Sequence, residues 1–146
     1  MKITYRGDYA LKTILNLSIN YGQGILTIHE IAERFDIPVK FLEQILLDLK
    51  RGGFVESRRG KIGGYALARP PEQIKLGDVV RFIDGPLEPI ACVESGYKGC
   101  RDISRCVFKG IWKSVSASTA KILDSLTFAD LAKKAKAASS GFVYQI

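Results

Sequence analysis

The chain is poor in the residues that enzymes use most for proton transfer. Among 146 residues there is one histidine, His29, and there are three cysteines, Cys92, Cys100 and Cys106. No paired-carboxylate motif and no glycine-rich phosphate loop accompany them, so acid–base catalysis and nucleotide chemistry have little support. An odd number of cysteines cannot close a complete intrachain disulfide framework. In a reducing compartment three thiols read better as metal ligands or redox groups. Long apolar runs are missing too. The longest uncharged stretch, Thr13 to His29, holds Asn16, Asn20 and Gln23 and falls short of the ~20 residues that cross a bilayer. The first residues lack the charged-then-apolar pattern of a secretory signal. The expectation is a cytoplasmic protein with no membrane partner. Acidic side chains are in deficit: 15 Asp and Glu against 22 Lys and Arg leave a net charge of +7, which favours a polyanionic partner.

What is there is organised around Thr27 to Leu67. Thr27 and Glu30 have the spacing of a capping box, in which hydroxyl and carboxylate each take the other's backbone amide. Ile28, Ile31, Ala32 and Phe35 then share one helical face. Asp36-Ile37-Pro38 ends that helix, and Pro38 suits the first turn of the next, where its missing N–H costs nothing. In the second helix Val39, Leu42, Ile45, Leu46 and Leu49 fall inward. Lys40, Phe41, Glu43, Gln44 and Asp48 are left outside. Gly52-Gly53 supplies a left-handed stop. A β-hairpin follows: Phe54–Ser57 and Tyr65–Leu67 are strands, and the tip between them carries Arg58, Arg59 and Lys61. Two helices, a tight turn and a basic wing form the layout of a winged helix-turn-helix. An ordinary helical hairpin with a solvated basic turn would share the pattern.

On the winged reading the DNA-facing set is Thr27 and His29 at the start of the first helix, Lys40, Phe41, Glu43 and Gln44 on the second, and Arg58, Arg59 and Lys61 on the wing. Glutamine can bond adenine bidentately and glutamate can accept from cytosine N4. The fold class expected is mainly α with a small β-hairpin, a winged helix-turn-helix with a long dimerisation helix.

In chain order, a first helix is expected over about Tyr9 to Tyr21, with Ala10, Ile14, Leu17 and Tyr21 on one face and Asp8 as its N-cap. Ala68-Arg69-Pro70-Pro71 is a linker, because proline cannot continue a strand. Leu76 to Ile83 is a short helix stopped by Gly85-Pro86. Residues 87–105 lack periodicity and form a loop. From about Ser104 to Leu123 runs the longest helical pattern. Its stripe is Phe108, Ile111, Trp112, Val115, Thr119 and Ile122, continued by Leu126, and it is either a core strut or a dimer seam. Thr127 and Asp130 repeat the capping pattern and open a last helix to about Ala138, broken by Ser139-Ser140-Gly141. The apolar tail 142–146 either packs on a dimer or frays. Three segments result: 1–71, with the helix-turn-helix at 27–51 and the wing at 54–67; 72–103, a short helix and the cysteine loop; and 104–146, the dimer helix and C-terminal helix.

The cysteine spacing is C-x7-C-x5-C. Soft thiolates suit iron, and an iron–sulfur cluster usually takes four ligands. The spacing departs from close-set zinc motifs. Buried spectator thiols and a disulfide switch would fit it as well.

The run FLEQILLDLKRGGFVESRRGKIGGYALA, the opening MKITYRGDYALKTIL and the later IKLGDVVRFIDGPL closely resemble the bacterial IscR/NsrR/CymR-type (Rrf family) regulators. The resemblance covers nearly the whole chain. It implies a dimeric regulator that binds a palindromic operator in double-stranded DNA through its winged domain, with the long helix as the dimer seam. It further implies that Cys92, Cys100 and Cys106 hold an iron–sulfur cluster, of 4Fe–4S or 2Fe–2S type. Some members place a histidine three residues after the third cysteine; here that position is Lys109. Others lend an aspartate, matching Asp8, to the other subunit's cluster. An exogenous thiol or water is a further source of a fourth ligand. Without a cluster, the same chain would be a regulator or protein-interaction module that uses thiols or a partner protein as its signal.

Overall fold

The computed structural model describes the backbone of residues 1–143 and the side chains of residues 1–140. Six α-helices and one hairpin follow in order: α1 (Tyr5–Ile19), α2 (Ile28–Phe35), α3 (Val39–Arg51), β1 (Val55–Arg58), β2 (Gly64–Leu67), α4 (Leu76–Asp84), α5 (Val107–Asp124) and α6 (Phe128–Val143). Short 3-10 turns stand at Pro71–Gln73 and Ala91–Val93.

The helix-turn-helix forms as its local chemistry dictates. The Thr27 hydroxyl accepts from the Glu30 amide at 3.2 Å, and the Thr27 amide donates to the Glu30 carboxylate at 2.7 Å. Asp36 takes the left-handed conformation that ends α2. Leu42, Ile45, Leu46 and Leu49 of α3 are buried. Gly53, at φ +75°, turns the chain out of α3. The hairpin is antiparallel, with Val55 opposite Leu67 and Arg58 opposite Gly64. Leu26 bridges to Tyr65 and extends its edge. Glycine is required at 64, because a Cβ there would lie 2.8 Å from the Leu26 carbonyl oxygen.

The core runs through all three segments of the chain. Ala10, Ile14 and Leu17 of α1 meet Ile31, Leu42, Leu46, Val79 and Phe128. Phe82 of α4 packs edge-on against Phe54 at 5.5 Å, and the Arg69 guanidinium lies 5.0 Å from the centroid of the same Phe54 ring. Phe54 thus takes Phe82 and Arg69 on one ring, and α4 rests on the base of the wing.

Four expectations need correction. The first helix begins at Tyr5, not Tyr9. Its N-cap is Thr4, whose hydroxyl accepts from the Gly7 amide at 3.0 Å; Asp84 of α4 in turn takes the Thr4 amide at 3.1 Å. Asp8 is therefore inside the first turn rather than at the cap, and Tyr21 lies beyond the helix and is exposed. Asp48 is not on the open outside: its side chain is only 12% exposed and accepts from Arg6 of α1. The long helix starts at Val107, after Cys106, rather than near Ser104. Finally, Ser139-Ser140-Gly141 does not break α6. The two serine hydroxyls donate to carbonyls four residues back, at 3.1 Å each, which removes their competition with the helix. Of the tail, residues 144–146 lie outside the described residues, as do the side chains of 142 and 143.

α4 and α5 are joined by a two-bonded ion pair. Arg81 donates to both carboxylate oxygens of Asp124, at 2.7 and 2.8 Å. The hydrogen bond from Arg81 holds the Asp124 carboxyl below its ordinary value of 3.8. A carboxylate whose folded value is depressed adds stability above the unfolded value and loses it as pH falls through the folded one. Asp124→Asn should therefore be less stable than the wild type at pH 7, and the gap should close on acidification below about pH 4. Denaturant melts at pH 7 and pH 3 measure it; a gap that is constant with pH would remove the ion pair from the account.

Candidate DNA-reading surface and cysteine loop

The outward face of α3 carries Lys40, Phe41, Glu43 and Gln44, all exposed. Phe41 is 62% exposed although its ring tilts toward Tyr9 of α1, with centroids 6.5 Å apart. Leu47 is exposed on the same helix.

The wing stands beside the start of α2. Thr27 and His29 line one shallow depression with Arg58, Ile62 and Tyr65. Arg58 is paired with Glu56 on its own strand at 2.9 Å. Among the described residues Arg59 and Lys61 have no ion-pair partner, and both are exposed. Lys50 at the end of α3 donates to Ser57 on β1 at 2.7 Å, tying helix to hairpin. Sequence reasoning missed Arg6 here and left Asp48 without its partner. Arg6 reaches α3 from α1, and Asp48 receives it; nothing in the local pattern signals a contact across 42 residues.

The cysteines lie on the connection between α4 and α5. Cys92 sits in the short 3-10 turn, half-buried; Cys100 is exposed; Cys106 is the residue preceding α5. All three are free thiols. The donor set suits iron in kind, since three soft ligands share one loop. The loop does not hold them ready: among the described residues no three His, Cys, Asp or Glu side chains converge as a metal site. Ligation requires the loop to draw its thiols together. Asp8 is half-exposed on α1 and its carboxylate lies 2.6 Å from the Lys12 ammonium, four residues on.

The stripe on α5 is open. No residue of α5 is buried, and Phe108, Ile111, Trp112, Val115 and Ile122 are exposed, Ile111 at 53% and Ile122 at 62%. Thr119 is half-buried. Among the described residues no helix is long and apolar enough to cross a membrane.

Residues 3–134 match the family Rrf2, described as iron-dependent transcriptional regulators. The chain belongs to the Rrf2 family. An rrf2-like HTH-type transcriptional regulator of Rhodobacter capsulatus is 40% identical over 136 residues, covering 88% of this chain and 91% of that protein. Among solved structures, IscR of T. potens superposes with a TM-score of 0.76 at 34% identity, over 94% of this chain and 90% of its own. CymR, the global cysteine regulator of B. subtilis, gives 0.76 at 30% identity, over 92% of this chain and 98% of its own. The winged helical fold expected from the sequence is the fold of these relatives. As an Rrf2 protein the chain is a transcriptional regulator and not an enzyme.

Proposed function

We propose that this Rrf2 regulator works as a homodimer on a palindromic operator in double-stranded DNA, and that an iron–sulfur cluster controls it. The observation that carries this reading is the placement of three free thiols on the loop that leads directly into the open apolar stripe of α5. Cys92, Cys100 and Cys106 would hold the cluster, with the partner subunit's Asp8 as a fourth ligand. To ligate, Asp8 must leave Lys12; it gives up no cap. A bound cluster would supply sensitivity to oxygen, nitric oxide or iron supply. The chain's own part is to transmit: loop to α5, α5 to α4 through Arg81 and Asp124, α4 to the wing base through Phe82 and to the first turn of α1 through Asp84 and Thr4. The spacing of the two recognition helices is the output. On each, Lys40, Phe41, Glu43 and Gln44 would face the major groove, and Thr27, His29, Arg58, Arg59 and Lys61 the backbone or the minor groove.

Anaerobic purification tests the sensor half. Visible absorbance with iron and sulfide in stoichiometric amounts supports it. Colourless, iron-free protein that still binds an operator supports the second reading, a cluster-free regulator or interaction module signalling through thiols or a partner protein. The ungathered thiols and the cysteine regulator among its structural relatives favour that reading.

The wing is tested separately. Arg58→Ala with Arg59→Ala should weaken binding to every sequence and reduce the slope of log affinity against log salt by roughly 1 to 2, since each phosphate contact releases about one counterion. A wild-type slope would take the wing off the DNA.

A further inference from the structure

Asp48 sits among the groups proposed to read bases, yet a carboxylate there should repel DNA. Its surroundings explain how it is tolerated. Arg6, from α1, donates to Asp48 Oδ2, and the Arg51 guanidinium lies 3.8 Å from Oδ1. The side chain is 12% exposed, so two cations from two elements cover it. On its remaining side Asp48 Oδ1 accepts from Gln44 Nε2 at 3.4 Å.

That contact decides which way the Gln44 amide faces. A carboxylate only accepts hydrogen bonds, so Nε2 must turn toward Asp48 and Oε1 away from it. A glutamine free to rotate offers donor or acceptor in either order. Held by Asp48, it offers Oε1 and one remaining N–H in a single order. Adenine's major-groove edge presents the complement, an N6 donor beside the N7 acceptor, whereas guanine presents two acceptors, N7 and O6. The Oε1 acceptor would then face guanine O6 without a proton between them.

We propose that Asp48, anchored from α1 by Arg6, is a positioning residue for base readout: it locks the Gln44 amide so that the recognition helix prefers adenine over guanine at one operator position. The proposal rests on α3 being the recognition helix. An ordinary i,i+4 pair that only stabilises α3 is the plainer role for Gln44 and Asp48, and it makes a different forecast. It moves the melting temperature and leaves base preference alone.

The test is selection of the full-length protein on a randomised duplex library, followed by affinities for the enriched site and for that site with each base exchanged. Gln44→Ala identifies the position that Gln44 reads. Asp48→Ala is expected to lose the adenine-over-guanine preference at that same position, by about tenfold, and to melt close to the wild type. Adding Asp48→Ala to Gln44→Ala should relax that position no further. Arg6→Ala, which lies outside α3, is read in the same way and serves should Asp48→Ala not fold. An enriched site whose adenine preference survives both Asp48→Ala and Arg6→Ala overturns the positioning role alone. So does an enriched site at which Gln44→Ala changes no base preference. A wild-type selection that enriches no duplex overturns the reading of α3, and the positioning role falls with it.

Discussion

Ile111→Asp should convert the protein to monomers at micromolar concentration and lower operator affinity by at least about a hundredfold. The first effect follows from the open stripe of α5. Burying one large apolar side chain contributes about 1.5–3 kcal/mol, and six such side chains, Val107, Phe108, Ile111, Trp112, Val115 and Ile122, stand exposed along the helix. A carboxylate placed among them must be desolvated without a partner, at a cost of several kcal/mol. The second effect follows from geometry. Two linked recognition helices gain roughly 100- to 10,000-fold over one, without any new contact. The monomer itself should stay folded, because no residue of α5 belongs to the core. Trp112→Asp should behave alike. Light scattering that still reports dimers would place the seam elsewhere.

Replacing any one of Cys92, Cys100 and Cys106 by alanine should remove most of the visible absorbance of anaerobically purified protein, since two thiolates and a weak oxygen ligand hold a cluster poorly. Apo stability should change little, as none of the three is in the core. Asp8 gives a sharper test than its sequence position suggested. Had it been the N-cap, its loss would cost about 1 kcal/mol; that penalty belongs instead to Thr4→Ala. Asp8→Asn should leave the melting temperature of the apo protein almost unchanged and speed cluster loss several-fold. A variant with the wild-type spectrum and lifetime would exclude Asp8 as a ligand, and full absorbance in all three alanine variants would sink the cluster itself.

Much of this molecule is legible within four residues of any point along it. Thr27 with Glu30, Thr127 with Asp130, Asp36-Ile37-Pro38 and the inward stripe of α3 all follow from local hydrogen bonding and periodicity and stand where expected, while the two strands stand within one residue of it, β1 losing Phe54 and taking in Arg58 and β2 taking in Gly64. The exposed residues of α3 and of the hairpin tip were legible for the same reason: a surface made mostly of charged and polar side chains has no core to enter. What the local pattern does not hold are the partners of polar groups far along the chain. α1 starts four residues early, at a Thr4 cap that Asp84, 80 residues away, also holds. Asp48 turns inward because Arg6 meets it from α1. The α5 stripe could equally have been a core strut, since spacing reports which residues share a face and not what covers it. A hydrogen bond is directional and short-ranged, so its partner is chosen only when packing has brought two distant segments within about 3 Å; apolar burial is non-directional, so residue order shows which side chains share an apolar face, and the tertiary structure decides what covers it.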